Sequence, residues 1–426
     1  MTGQTIQIVR QMKAVTKSGV AGDTVFILLA SVVSQAAAAG SYLLLARSVG
    51  PEDFGSAIAI SGLVLSLVGL AEFGTSNLVT REIAAQKITL ADAFHGVLSR
   101  SLVMTGAGAG LAIVLDLIEQ VTGAEAFMVA ILVAGMSLST GLQGIMRGRR
   151  RVRLASWLGA SDKLVGLAIV GATLLTGQRT AVLTLLAALS VGPWLVSAYI
   201  GVALLSESGT RRLRWVHPYR GSLGFGLTSS VTSVQTVDAT AIAWLAGPAA
   251  AGQFGAVSKW VAPFNLVVAA LSQAALPRLA AARTTSLALR ELTHGLWAPA
   301  LSCIAALITA IASPWVVELL LGSAFAGSAS VLSLVALATI PAGASQIALT
   351  LLQARGAEGR AARNIVAAVV LQLAAICVGS VLFGAVGSGA AILVTQTMLA
   401  GLLIREVRTL LRSERQVPPR MHESVR

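Results

Sequence analysis

Four charged side chains stand inside long apolar stretches of this 426-residue chain: Asp162, Lys163, Asp238 and Lys259. An ionised group in hydrocarbon costs roughly 2.5–3.5 kcal/mol on insertion scales, so such residues face a water-filled cavity or a partner. Their depth follows from the helical rise. Asp162 lies about 12 Å beyond Leu154 at 1.5 Å per residue, and Asp238 about 14 Å before Gly247. Both acids therefore fall near the middle of a span. Lys163 follows Asp162 at about 100° around a helix, which does not set the two face to face. Lys259 and Glu72 lie nearer the ends of their stretches, where a long side chain snorkels outward. A midplane cation can hold an anionic group in a low-dielectric region, with Asp162 and Asp238 tuning or balancing its charge. The alternative is that the four residues form ion pairs that orient helices.

The elements that position them are set by composition. Mean hydropathy is +0.81, with 55% hydrophobic and only 12% charged residues, about half the charge a soluble chain carries. A hydrocarbon core about 30 Å thick needs roughly 20 apolar residues per helical crossing. Twelve such stretches are predicted, at 24–46, 55–73, 97–118, 124–146, 154–176, 180–205, 221–246, 252–277, 294–317, 327–353, 364–383 and 387–405. Charge alternates between their connections. Of the 31 Lys and Arg, only Arg47 and Arg179 fall in the opposite set, and Lys163 and Lys259 fall well within spans; the rest occupy alternate connections, the span ends beside them, or the tails. Lys and Arg are retained on the cytoplasmic face, so both termini are expected in the cytoplasm, beneath an inner membrane.

That topology accounts for the net charge of +13 without any nucleic-acid partner, since runs such as Arg147–Arg153 and Arg211–Arg214 sit between spans. The same residues suit anionic lipid headgroups at the membrane surface. The first apolar stretch, from about Thr24 to Ala46, exceeds a signal-peptide core of about 7–15 residues and reads as a retained span. Gly106, Gly108 and Gly110 fall within a span and suit helix packing; no glycine-rich loop ending in Lys-Ser or Lys-Thr occurs, so no nucleotide cofactor is expected. Cys303 and Cys377 lie in spans, and the four His are scattered, so neither a metal nor a disulfide framework is expected. Pro193, Pro263, Pro299 and Pro341 are placed to interrupt spans.

The halves repeat. Val49-Gly50-Pro51-Glu52-Asp53-Phe54-Gly55 follows span one, and Leu245-Ala246-Gly247-Pro248, then Phe254-Gly255, follows span seven. Arg81-Glu82-Ile83-Ala84 and Arg278-Leu279-Ala280 come after the next spans, and Met146-Arg147-Gly148 has its counterpart in Ala354-Arg355-Gly356. A duplicated six-span unit with both copies in one orientation has its pseudo-twofold axis along the membrane normal. The expected organisation is a tail at 1–23, a six-helix lobe at 24–205, a basic linker at 206–220, a second lobe at 221–405 and a tail at 406–426.

These runs, with Glu72-Phe73-Gly74, Val237-Asp238, Lys259 and Leu276-Pro277-Arg278, resemble the hairpins of the polysaccharide transporter family. That family belongs to the multidrug/oligosaccharidyl-lipid/polysaccharide (MOP) flippase superfamily. The resemblance implies an all-helical, non-enzymatic flippase for a polyprenyl-diphosphate-linked oligosaccharide, working by alternating access beside glycan-biosynthesis enzymes. In that setting Lys163 and then Lys259 are the candidates to hold the diphosphate. The family's members carry several lumenal Arg, whereas no Arg is placed mid-span here. An ion-coupled multidrug or metabolite antiporter of the same superfamily is the second reading. A membrane-embedded glycan polymerase or ligase is a distant third, because the outer connections are short and hold no His.

Overall fold

The computed structural model describes residues 3–177, 180–208, 215–217, 219, 233, 235–261, 263–265, 267–268, 271–272, 275, 279, 284–293 and 296–416. Apolar stretches this long satisfy their backbone polar groups within helices, and among the described residues there is no strand. The helices are α1 (Gly3–Glu72), α2 (Thr75–Ala84), α3 (Leu90–Leu117), α4 (Gly123–Gly148), α5 (Val152–Leu175), α6 (Ala181–Ser208), α7 (Asp238–Ala246), α8 (Pro248–Ser258), α9 (Thr285–Thr293), α10 (Trp297–Leu321), α11 (Ser328–Ala354) and α12 (Glu358–Gln416). Local signals set the boundaries. Thr89 caps α3 by accepting from the Asp92 N–H at 3.1 Å, and Glu125 reaches back to the Thr122 N–H at 2.8 Å to start α4.

Eight segments among the described residues are long and apolar enough to cross a bilayer, and the chain is a multi-pass membrane protein. Two of the eight, Leu29–Ala84 and Gly359–Glu414, run 56 residues each. At about 1.5 Å per residue that is far more than one crossing requires. The first leaves the helical region at Gly50 and again at Phe73–Gly74, between α1 and α2, and the second at Gly384. Of expected spans seven and eight, 221–246 and 252–277, the first falls half outside the described residues and the second partly so. Pro299 lies in the first turn of α10 and interrupts nothing, because the N–H it lacks has no helical partner there. The interior proline of that helix is Pro314.

Packing is inverted relative to a water-soluble protein. On α10 the exposed stripe is Leu301, Ile304, Ile308, Ile311, Trp315 and Leu319, while Ala306, Ala310 and Ser313 are among the buried residues. Large apolar side chains face the surroundings, and small residues let helices approach closely. The described chain forms two compact units, one of residues 1–45 and 64–234 and the other of 46–63 and 235–426. The first has a core of Phe94, Val97, Leu142, Ile145, Met146, Ile200 and Leu204. The second buries Leu279, Leu351, Leu352, Ala361 and Leu403 together.

Candidate functional site

Gly-Pro pairs shape two bends that meet within the second unit. Gly50 has φ 83° and ψ 175°, and Gly247 has φ 90° and ψ 162°. Only glycine takes that conformation readily. Each is followed by a proline, Pro51 or Pro248, whose fixed φ and missing N–H suit the first position of the next helix. Four residues on, Gly55 and Gly252 cross. A Cβ on Gly55 would overlap the Pro248 carbonyl oxygen, and one on Gly252 would overlap the Pro51 carbonyl oxygen. The two bends thus make the same contact with each other. Gly252, and not Gly255, is the counterpart of Gly55 here; Gly255 packs instead against Ile58. Phe54 and Phe254 are both fully buried, and Phe54 meets Phe325 edge to face at 6.4 Å. The Thr240 hydroxyl donates to the Ala59 carbonyl at 2.7 Å, fixing α7 against α1.

Asp162 and Lys163 lie midway along α5, in the first unit. Their side chains do pair: Lys163 Nζ donates to Asp162 Oδ2 at 2.9 Å. The 100° offset predicted otherwise, but the four-carbon Lys stem is long enough to fold back around the helix. Asp162 is buried, and its Oδ1 has no hydrogen-bond partner among the described residues. That oxygen packs against α6 at Gly192, where any side chain would collide with it. Lys163 is more exposed, at 28% of its side chain, and keeps donors free for a further acceptor.

In the second unit Asp238 opens α7 and accepts from the Ala239 N–H at 2.6 Å. Lys259, just after α8, attracts it electrostatically; the two do not form a direct ion pair. The four charges therefore fall into two acid–lysine sets, one in each unit.

A fifth charge was missed. Arg100, grouped with the basic residues at the start of expected span three (97–118), lies about three turns inside α3 and is 2% exposed. Its Nη1 donates to the Thr75 hydroxyl, and its Nη2 to the Ser137 carbonyl and, at 3.2 Å, to the Thr140 hydroxyl. Gly141 leaves room for it, since a Cβ there would press on Nη2. Glu72, at the end of α1, attracts both Arg100 and Arg147 electrostatically. Arg147 Nη2 donates to the Ser76 hydroxyl at 3.2 Å. Tyr219 donates to the Ala71 carbonyl at 2.9 Å. Burial raises the Tyr219 phenol pKa and the nearby Arg100 charge opposes that rise. The Thr89–Asp92 capping signal could have found Arg100, because a helix starting at Leu90 must carry it inward.

These groups are intramembrane charges and backbone bends. Solved structures share the fold that carries them. A multidrug resistance MATE family transporter of the MOP superfamily, in an inward-facing conformation, superposes with a TM-score of 0.72 at 14% identity, covering 90% of this chain and 96% of its own. The lipid II flippase MurJ, in an inward closed conformation, gives 0.71 at 11% identity over 90% of this chain and 87% of its own. A MOP superfamily transporter from Pyrococcus furiosus gives 0.61 at 16% identity over 92% and 95%. The fold is the one these transporters share. No curated protein sequence matches the chain. Residues 20–283, more than half of the sequence, match the family described as polysaccharide biosynthesis protein, as the hairpin motifs implied, and the chain belongs to that family.

Proposed function

We propose that this protein is a flippase that moves a polyprenyl-diphosphate-linked oligosaccharide, or a related cell-envelope glycan precursor, across the cytoplasmic membrane. The observation that carries the reading is the match to the polysaccharide biosynthesis family over residues 20–283. The fold supports it, since it is also that of a lipid II flippase. In this account the full chain crosses twelve times, with both termini in the cytoplasm. Its two six-helix lobes are related by a pseudo-twofold axis along the membrane normal. The matching backbone of Gly50-Pro51 and Gly247-Pro248 supports that relation.

Alternating access moves the headgroup through a water-filled cavity while the polyprenyl tail stays in lipid. Lys163, and secondarily Lys259, helps hold the diphosphate-linked headgroup, with Asp162 and Asp238 tuning or balancing that charge. No bond is made or broken, so the protein acts as a transporter and not as an enzyme. Its partners are the lipid-linked glycan, anionic membrane lipids and the enzymes that build the glycan. The likeness to a multidrug resistance MATE transporter favours an ion-coupled antiporter as the second reading. Depletion of the protein in its host separates the two. A lipid-linked glycan accumulating on the cytoplasmic leaflet is the expected result; unchanged glycan with altered drug or metabolite efflux supports the antiporter.

A further inference from the structure

A cavity of about 550 Å³ opens in the first unit between α2, α3 and the segment 215–217. It lies apart from Asp162 and Lys163, and the transport account makes no use of it. Arg100 forms part of its wall. That guanidinium is almost wholly buried, yet among the described residues every hydrogen-bond partner it has is neutral and its Nε–H has none. A buried charge without a counter-ion is strongly unfavourable.

The acids that share the cavity are already engaged. Glu82 accepts from Arg81 at 2.7 Å, and Asp92 Oδ2 accepts from the Thr89 hydroxyl at 2.8 Å. Glu72 acts on Arg100 only through space. Among the described residues no anion contacts Arg100 directly, and guanidinium geometry favours the oxygens of a phosphate. Its volume lies in the range of small-molecule sites and far exceeds one phosphate. Glu82 and Asp92 keep lone pairs that hydroxyl groups can donate to. Trp215, 60% exposed in the wall, offers a flat apolar face.

We propose that this cavity binds a phosphate ester carrying a hydroxylated body, with the phosphate on Arg100 and the hydroxyl groups toward Glu82 and Asp92. Two sources have that chemistry: the headgroup of an anionic phospholipid and a soluble sugar phosphate. The inference does not depend on the flippase reading.

The test uses the purified full chain in nanodiscs, with the melting temperature as readout. One arm titrates glucose 1-phosphate, with glucose as control, in phosphatidylcholine discs; the other replaces part of that lipid with phosphatidylglycerol. Gly96 lines the cavity, and a Cβ there meets only Val216 Cγ1 at 4.0 Å, so Gly96→Leu fills the space one helical turn from Arg100 while leaving the guanidinium itself in place. Arg100→Lys keeps the charge and loses the planar fork.

A saturable rise with glucose 1-phosphate, weakened about tenfold or more in both variants, supports a soluble ligand. A rise with phosphatidylglycerol alone, lost in Gly96→Leu, supports a lipid headgroup. No rise in either arm overturns the proposal, as does a rise that Gly96→Leu leaves intact. Should Arg100→Lys not fold, Gly96→Leu decides the matter.

Discussion

Gly55 and Gly252 approach so closely that a side chain on either would run into the backbone of the other's bend, at Pro248 and Pro51 respectively. The atoms in the way are carbonyl oxygens, which cannot rotate aside as a side chain does. Alanine at either position must push two helices apart or strain both bends. Overpacking of this kind costs about 1–3 kcal/mol. We expect Gly55→Ala and Gly252→Ala to lower the melting temperature in detergent, with Gly110→Ala in α3 as control. Nothing lies within 4 Å of a Cβ at Gly110, so that variant should melt like the parent. Equal melting of all three would remove the crossing from the account.

Lys163 and Asp162 give a second prediction. Their 2.9 Å pair leaves the lysine charge partly balanced and partly exposed, which suits transient contact with a diphosphate. Lys163→Gln should reduce glycan export at unchanged protein level, and Lys163→Arg should retain most of it. A loss of folded protein in both variants would assign the pair to helix orientation alone.

Much of this was legible in the sequence, and the exceptions have physical causes. Gly50-Pro51 and Gly247-Pro248 stood out because the dipeptide fixes a bend whatever surrounds it. Arg100 did not, because its partners are uncharged groups 25, 37 and 40 residues away, and a charge near a span end looks like loop until the helix start is fixed. The Asp162–Lys163 pair was missed because angular offset describes backbone positions and ignores the reach of a lysine stem. Gly252 was overlooked in favour of Gly255 because Phe254-Gly255 repeats the letters of Phe54-Gly55, whereas the contact repeats their distance from the proline.

At the end of α12, Glu414 joins three segments. It accepts from Arg355 at 2.8 Å and from the Thr285 N–H at 2.7 Å, where α9 begins, and from the Thr285 hydroxyl. The carboxylate is 30% exposed, so screening limits its contribution to about 1 kcal/mol. Glu414→Gln should speed amide exchange in 285–293 about fivefold and leave α10 and α11 unchanged. Unaltered exchange there would mean that α9 is held by apolar packing alone.

Membrane orientation is testable with single cysteines on a background lacking Cys303 and Cys377. Arg212→Cys and Glu358→Cys should resist an impermeant thiol reagent added outside intact cells, and Thr122→Cys should react. Reaction at 212 from outside would invert the topology.

The central claim is lipid-linked glycan transport, and reconstitution tests it most directly. Proteoliposomes are loaded with polyprenyl-diphosphate glycan in both leaflets, and the fraction open to an added glycan-modifying enzyme is followed over time. With the protein present, that fraction should climb from about half, as expected for symmetric loading, toward completion, and Lys163→Gln should slow the climb. A plateau at half with folded wild-type protein, under an imposed membrane potential and under proton and sodium gradients, would contradict the account.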